Sequence, residues 1–118
     1  KKEVSILGWA FKKNTNDTRE SASIYVSGQF LKSNYKVHIY DPKVNQDQII
    51  TDLLSIGHKP DQLKKKIKFY NDLDQIINEK LPILIMTEWD EFKKINNKIS
   101  SVFDFRNILD KSKVTYRF

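Results

Sequence analysis

The reactive side chains of this sequence gather behind its short apolar runs. Val4-Ser5-Ile6-Leu7 is followed by Gly8 and an aromatic-basic knot, Trp9-Ala10-Phe11-Lys12-Lys13. Tyr35 to Tyr40 ends at Asp41-Pro42, Leu81 to Met86 at Thr87-Glu88-Trp89, and Val102 to Phe105 at Arg106-Asn107. An aromatic ring such as Phe11 can pack on a base or sugar, and Lys12 can pair with a phosphate. Arg106 can offer a planar fork to phosphate or sugar oxygens. The alternative is that Phe11 belongs to the core and Lys12 is a solvated charge. Asp41 stands where dinucleotide folds contact a ribose hydroxyl, although Asp-Pro also terminates strands. Arg19 lies at a helix start, where the dipole disfavours a cation, so it needs Asp17, Glu20 or an external anion as partner. Glu88 and Asp90 flank Trp89 and suit acid-base work or, as the alternative, the charge pair of a helix start.

Other chemistries are absent. The sequence has no cysteine, which excludes disulfides, thiolate zinc sites and thiol catalysis within it. His38 lies within an apolar run and His58 in a polar one, unpaired, so neither makes a metal site. No nucleophile-base constellation occurs. The dinucleotide fingerprint needs three spaced glycines, and only Gly8 stands in the right region. Trp9 and Phe11 would hinder close backbone approach there, so a self-contained NAD site is not expected.

Alternating strand and helix patterns must position these residues. Val4 to Leu7, Tyr35 to Tyr40, Ile67 to Tyr70, Leu81 to Met86, Val102 to Phe105 and Val114 to Phe118 read as strands. Ser21 to Lys32 reads as a helix burying Ala22, Tyr25, Val26 and Phe30, capped by Asp17 and Glu20. Gln46 to Ile56, Leu73 to Asn78 and Asp90 to Ile95 read as further helices, and His58 to Lys66 as a polar surface segment. The expected architecture is α/β: a Rossmann-like three-layer sandwich with a mainly parallel sheet of roughly five to six strands. The C-terminal ends of parallel strands share one edge. Gly8 to Lys12, Asp41, Thr87 to Trp89 and Arg106 should therefore meet where such sheets bind ligands.

Composition agrees with one compact domain over residues 1–118. The chain is 39% hydrophobic and 31% charged, a globular balance. Its length suffices to bury roughly two-thirds of the unfolded surface. Its longest apolar run is too short to cross a membrane, and no signal peptide is visible, so a membrane partner is not expected. The start at Lys1-Lys2 rather than Met suggests part of a longer protein. The net charge of +6 suits nucleic acid, acidic lipid, a phosphorylated small molecule or simple solvation. Apart from Lys64-Lys65-Lys66 the lysines are scattered, without an Arg-rich stripe or an aromatic RNA-binding signature, so a nucleic-acid partner is not expected.

The blocks ILGWAFKKNTNDTRES, HIYDPKV, TEWDEFKKI and VFDFRNILD, in order over nearly the whole chain, resemble the C-terminal UDP-binding domain of the UDP-glucose/GDP-mannose dehydrogenase family. The G-x-A-F-K and D-T-R-E-S segments carry most of the likeness. AFKK and HIYDPKV are most similar to the animal-type UDP-glucose 6-dehydrogenases, with GDP-mannose and UDP-N-acetylhexosamine dehydrogenases as alternatives. The resemblance implies oxidation of UDP-glucose to UDP-glucuronate with two NAD+, through a cysteine thiohemiacetal and thioester. It implies an upstream NAD domain, a cytoplasmic homo-oligomer (dimer or hexamer) and a domain that is inactive by itself. By position it makes Phe11, Lys12 and Arg106 contacts to UDP-sugar, and Arg19 a contact to NAD held by another domain. The family usually has glycine where Phe105 stands. A stand-alone nucleotide-binding module and a basic nucleic-acid binder are rival readings from other classes.

Overall fold

A computed structural model describes residues 2–98 and 100–117. Its centre is β1 (Glu3–Leu7), where Val4, Ile6 and Leu7 are buried. β2 (Lys36–Tyr40), β3 (Ile67–Phe69), β4 (Ile83–Ile85), β5 (Val102–Asp104) and β6 (Tyr116–Arg117) complete one sheet in the order β3-β2-β1-β4-β5-β6. Every adjacent pair is parallel, with Ile6 beside both Ile39 and Leu84. Continuous apolar runs such as Ile83-Leu84-Ile85 fit a sheet covered on both faces. The expected six-stranded limit and parallel sense are met, and β6 is shorter than Val114 to Phe118; Phe118 lies outside the described residues.

Helices α1 (Ala22–Lys32), α2 (Gln46–Ser55) and α3 (Pro60–Lys66) connect β1, β2 and β3. Right-handed crossovers place them on one face, and the reversal after β3 places α4 (Leu73–Ile77) and the 3-10 helix Asp90–Lys94 on the other. On that second face Phe92 packs edge-on against Tyr40, with ring centroids 6.2 Å apart. Among the described residues no helix is long and apolar enough to cross a membrane.

Three local expectations need correction. Helix α1 buries Ser23, Ile24, Ser27, Gly28 and Leu31, packs Val26 and Phe30 half-buried against the core, and leaves Ala22 exposed and Tyr25 53% exposed. The small residues let the helix come close to its neighbours: a Cβ at Gly28 would lie 3.0 Å from His58 Nε2. Its cap is Ser21, whose hydroxyl accepts from the Ser23 N–H, rather than Asp17 and Glu20. The segment after His58 is not a loop throughout, because Pro60 at the first turn starts α3, anchored by the single buried Leu63.

The chain reverses direction in the sheet order between β1 and β4, and this switch point is tightly closed. Gly8 leaves β1 with φ at +100°, and a Cβ there would fall 2.4 Å from Thr87 Cβ and Oγ1. Gly8→Ala therefore combines a disfavoured backbone with a steric conflict. It is expected to cost about 3 kcal/mol or more in urea denaturation. Gly57, at φ +101° but in open space, provides the comparison; Gly57→Ala should cost only about 1–2 kcal/mol from backbone strain. Equal losses would contradict the close approach of the two loops.

Candidate functional site

The loop after β1 is fixed by what it donates to. Gly8 N–H continues the ladder to Tyr40 O at 2.8 Å. The next two N–H groups, of Trp9 and Ala10, both reach Asp41 Oδ2, at 2.6 and 3.0 Å. The Trp89 indole N–H joins them at 3.1 Å. The other oxygen, Oδ1, accepts from Lys43 N–H at 2.8 Å and Val44 N–H at 3.0 Å. Asp41 is thus buried and consumed by protein donors, which favours the strand-terminating reading of Asp41-Pro42 over a ribose contact. Trp9 is fully buried, its indole N–H donating to Asp52 Oδ2 at 3.0 Å. The Thr87 hydroxyl donates to Ala10 O at 2.7 Å.

Where these anchors stop, the chain turns outward. Phe11 N–H donates to Asp17 O at 2.9 Å, closing the loop between them. Phe11 is 37% exposed, so it is not core, and Lys12 Nζ lies 5.5 Å from its ring centroid. Lys13 pairs with Asp90 at 3.5 Å, tying the loop to the segment after β4.

Arg106 is presented from β5 by a similar device. Asp104 is completely buried and accepts from the N–H groups of Arg106 (3.1 Å), Ile108 (2.9 Å) and Leu109 (2.9 Å). The Arg106 guanidinium Nη2 lies 2.9 Å from Glu88 Oε1. Glu88 and Asp90 are therefore not a paired acid and base: Glu88 faces Arg106, and Asp90 faces Lys13 and Lys93. Strand order puts β4 between β1 and β5, so the Phe11–Lys12 and Arg106 loops stand about 10 Å apart at their roots, on one edge.

Arg19 faces elsewhere. It lines a groove of about 690 Å³ with Phe11, Ile24, Tyr25 and Asp52, between the β1 loop and α2. Its side chain is 89% exposed and grips Asp17, Nη2 to Oδ2 at 2.7 Å. Phe11 thus borders this groove as well as the Lys12 loop, whereas Arg106 is not part of it. The histidines do other work. His38 sits between Glu3 Oε1, 2.8 Å from Nε2, and the Tyr70 hydroxyl, 2.7 Å from Nδ1, and Tyr70 in turn donates to Glu79. Burial, with the Glu79 carboxylate beside it, pushes the Tyr70 phenol up.

These features coincide with a known family. Residues 5–111 match the model of the UDP-glucose/GDP-mannose dehydrogenase family, UDP binding domain. The chain belongs to this family. Similar curated relatives are the UDP-glucose 6-dehydrogenases of Bos taurus, 40% identical over 92% of this chain, and Drosophila melanogaster, 42% identical over 92% of it. The chain spans about a quarter of their length, 24% and 25%. Its fold matches that of a UDP-glucose dehydrogenase from Pyrobaculum islandicum with a TM-score of 0.74 and 22% identity, covering 98% of this chain and 24% of that one.

A member of a dehydrogenase family raises the question of NAD. The residues at the switch point do not fit a dinucleotide, because Gly8 packs on Thr87 and α1 begins only at Ala22, well after the glycine. This UDP-binding domain of the family therefore has the strand order of a dinucleotide fold without its phosphate loop. Sequence reading missed Asp104, the tie from Thr87 to the β1 loop and the Glu88–Arg106 pair. The first two were findable as polar residues closing buried runs; the third follows from β4 and β5 being neighbours.

The Arg19–Asp17 pair makes a measurable prediction. The Arg19 side chain, then its backbone N–H, holds the Asp17 carboxyl at about 2 rather than 3.8. A depressed folded-state value means that the pair's stabilisation is present above about 3.8 and is lost as pH falls through about 2. In Arg19→Ala the Asp17 carboxyl, followed by carbon-13 NMR, should titrate back toward 3.8, while the melting temperature at neutral pH changes little because the pair is solvent-exposed. An unmoved Asp17 titration would contradict the pairing.

Proposed function

We propose that this chain is a single UDP-sugar-binding domain of a longer, cytoplasmic, NAD-dependent UDP-glucose 6-dehydrogenase. In this reading the whole protein oxidises UDP-glucose to UDP-glucuronate as a homo-oligomer. NAD is held mainly by a domain outside this chain, and Arg19 reaches toward it. The nucleophile also lies outside, since no cysteine occurs here. The observation that carries the reading is the family match over residues 5–111, joined to Phe11, Lys12 and Arg106 standing on anchored loops along one sheet edge.

The chemistry of that edge suits a uridine diphosphate. Phe11 offers an exposed face for the uracil or ribose, and the Lys12 ammonium beside it suits the diphosphate. Arg106 adds a second cation with a planar set of donors. The loops carrying them are held by buried carboxylates before any ligand arrives, so little conformational entropy is lost on binding. A diphosphate shared by two cations also suits the excess of basic residues in the sequence.

Calorimetric titration of the chain with UDP, UDP-glucose, GDP and NAD+ tests this. UDP and UDP-glucose should bind, and GDP and NAD+ should not. Lys12→Ala and Arg106→Ala should each weaken UDP binding by about tenfold, as for loss of a charge-assisted hydrogen bond. With UDP-glucose and NAD+ together the chain should produce no NADH. Equal binding of GDP, unchanged affinity in both variants, or NADH production would overturn the proposal.

A further inference from the structure

Arg106 has a well-fixed backbone and a long side chain. Its N–H is bound by buried Asp104, but an arginine side chain can swing through many rotamers from such a root. The neighbouring strand supplies what limits it. Glu88 Oε1 lies 2.9 Å from Nη2, has almost no contact with solvent and makes no aligned hydrogen bond with any described group, Arg106 included, so the close ion pair alone compensates its charge. A buried carboxylate oxygen facing a guanidinium needs that cation where it is.

Glu88 is itself held from both sides. Thr87 before it is completely buried and donates to Ala10 O; Trp89 after it donates to Asp41 Oδ2. The same Asp41 oxygen holds Trp9 and Ala10, directly before Phe11 and Lys12. A chain of contacts thus runs from the Lys12 loop through Thr87-Glu88-Trp89 to the Arg106 guanidinium. Glu88 engages one terminal nitrogen, Nη2, from the β4 side. Among the described residues the guanidinium has no other ion pair, so its remaining donors can meet oxygens of a ligand.

We infer that Glu88 is a positioning residue that sets the orientation of the Arg106 guanidinium for phosphate or sugar oxygens of the bound nucleotide. This rests on the reading that Arg106 contacts UDP. Glu88 makes no ligand contact in this role and carries a charge that would repel a diphosphate by itself. Its effect passes through Arg106 alone. The opposite role, a plug that a phosphate must displace, predicts the opposite sign.

The test is UDP titration of wild type, Glu88→Gln, Arg106→Ala and the double variant. Glu88→Gln keeps the shape and removes the charge; it should weaken UDP binding by about threefold to tenfold, from loss of a partly exposed charge contact. The double variant should bind no more weakly than Arg106→Ala, because Glu88 acts only through Arg106. A side-chain readout accompanies this: the Arg106 Nε–H resonance in nitrogen-15 NMR should be sharp and ordered without ligand in wild type, and averaged in Glu88→Gln. Unchanged or tighter UDP binding in Glu88→Gln, or additive losses in the double variant, would overturn the inference. An averaged Arg106 signal in wild type would also overturn it, without needing any variant to fold. If Arg106→Ala itself leaves UDP binding unchanged, the reading beneath it fails instead, and the inference with it.

Discussion

One buried carboxylate organises the functional edge of this domain. Asp41 accepts N–H groups from Trp9, Ala10, Lys43 and Val44 and from the Trp89 indole, so three loops share two oxygens. Each donor would otherwise be a polar group removed from water without a partner, a loss of roughly 1–3 kcal/mol apiece. The carboxylate oxygens are satisfied in the same way, because a polar group taken out of water needs hydrogen-bond partners. Asp104 repeats the arrangement one strand beyond β4, for the loop that carries Arg106. Strand ends therefore become rigid mounts, and the backbone that carries the outward side chains is held in place before a ligand arrives.

The same packing decides where a ligand does not go. In a doubly wound sheet the crevice at the switch point is the usual dinucleotide site. Here Gly8 uses its lack of a side chain to sit against Thr87, and not to admit a pyrophosphate. Trp9 fills the space beneath, anchored at both its backbone and its indole nitrogen. What remains for the proposed recognition lies above the edge: the Phe11 ring, the Lys12 ammonium and the Arg106 guanidinium. A scaffold common among dinucleotide-binding proteins has thereby been turned into one that offers side chains rather than a glycine-rich backbone.

Much of the architecture was legible because parallel sheets leave plain traces. The run Leu81 to Met86 is what a strand covered on both faces leaves in a sequence, and parallel order forces strand C-termini onto one edge. That geometry puts Phe11, Lys12, Asp41, Glu88 and Arg106 on one edge from sequence pattern alone. Helix α1 was misread because hydropathy looks for large apolar residues, whereas Ser23, Ser27 and Gly28 are buried for their small size. Helix α3 escaped because one leucine is too little for a period. Asp41 stood in the position of a ribose ligand, and only the three-dimensional convergence of Trp9, Ala10 and Trp89 on it reveals a different task. The Glu88–Arg106 pair depends on strand order, which spacing along the chain does not encode.

The central claim is that UDP docks on the edge formed by the loops after β1, β4 and β5. Amide chemical-shift mapping by nitrogen-15 NMR, with UDP titrated into the chain, tests it most directly. Saturable shifts should appear at Phe11, Lys12, Lys13, Glu88 and Arg106, with Lys64, Lys65 and Lys66 on α3 unmoved. Shifts confined to the α3 lysines, or no saturable shift at the edge, would contradict the claim.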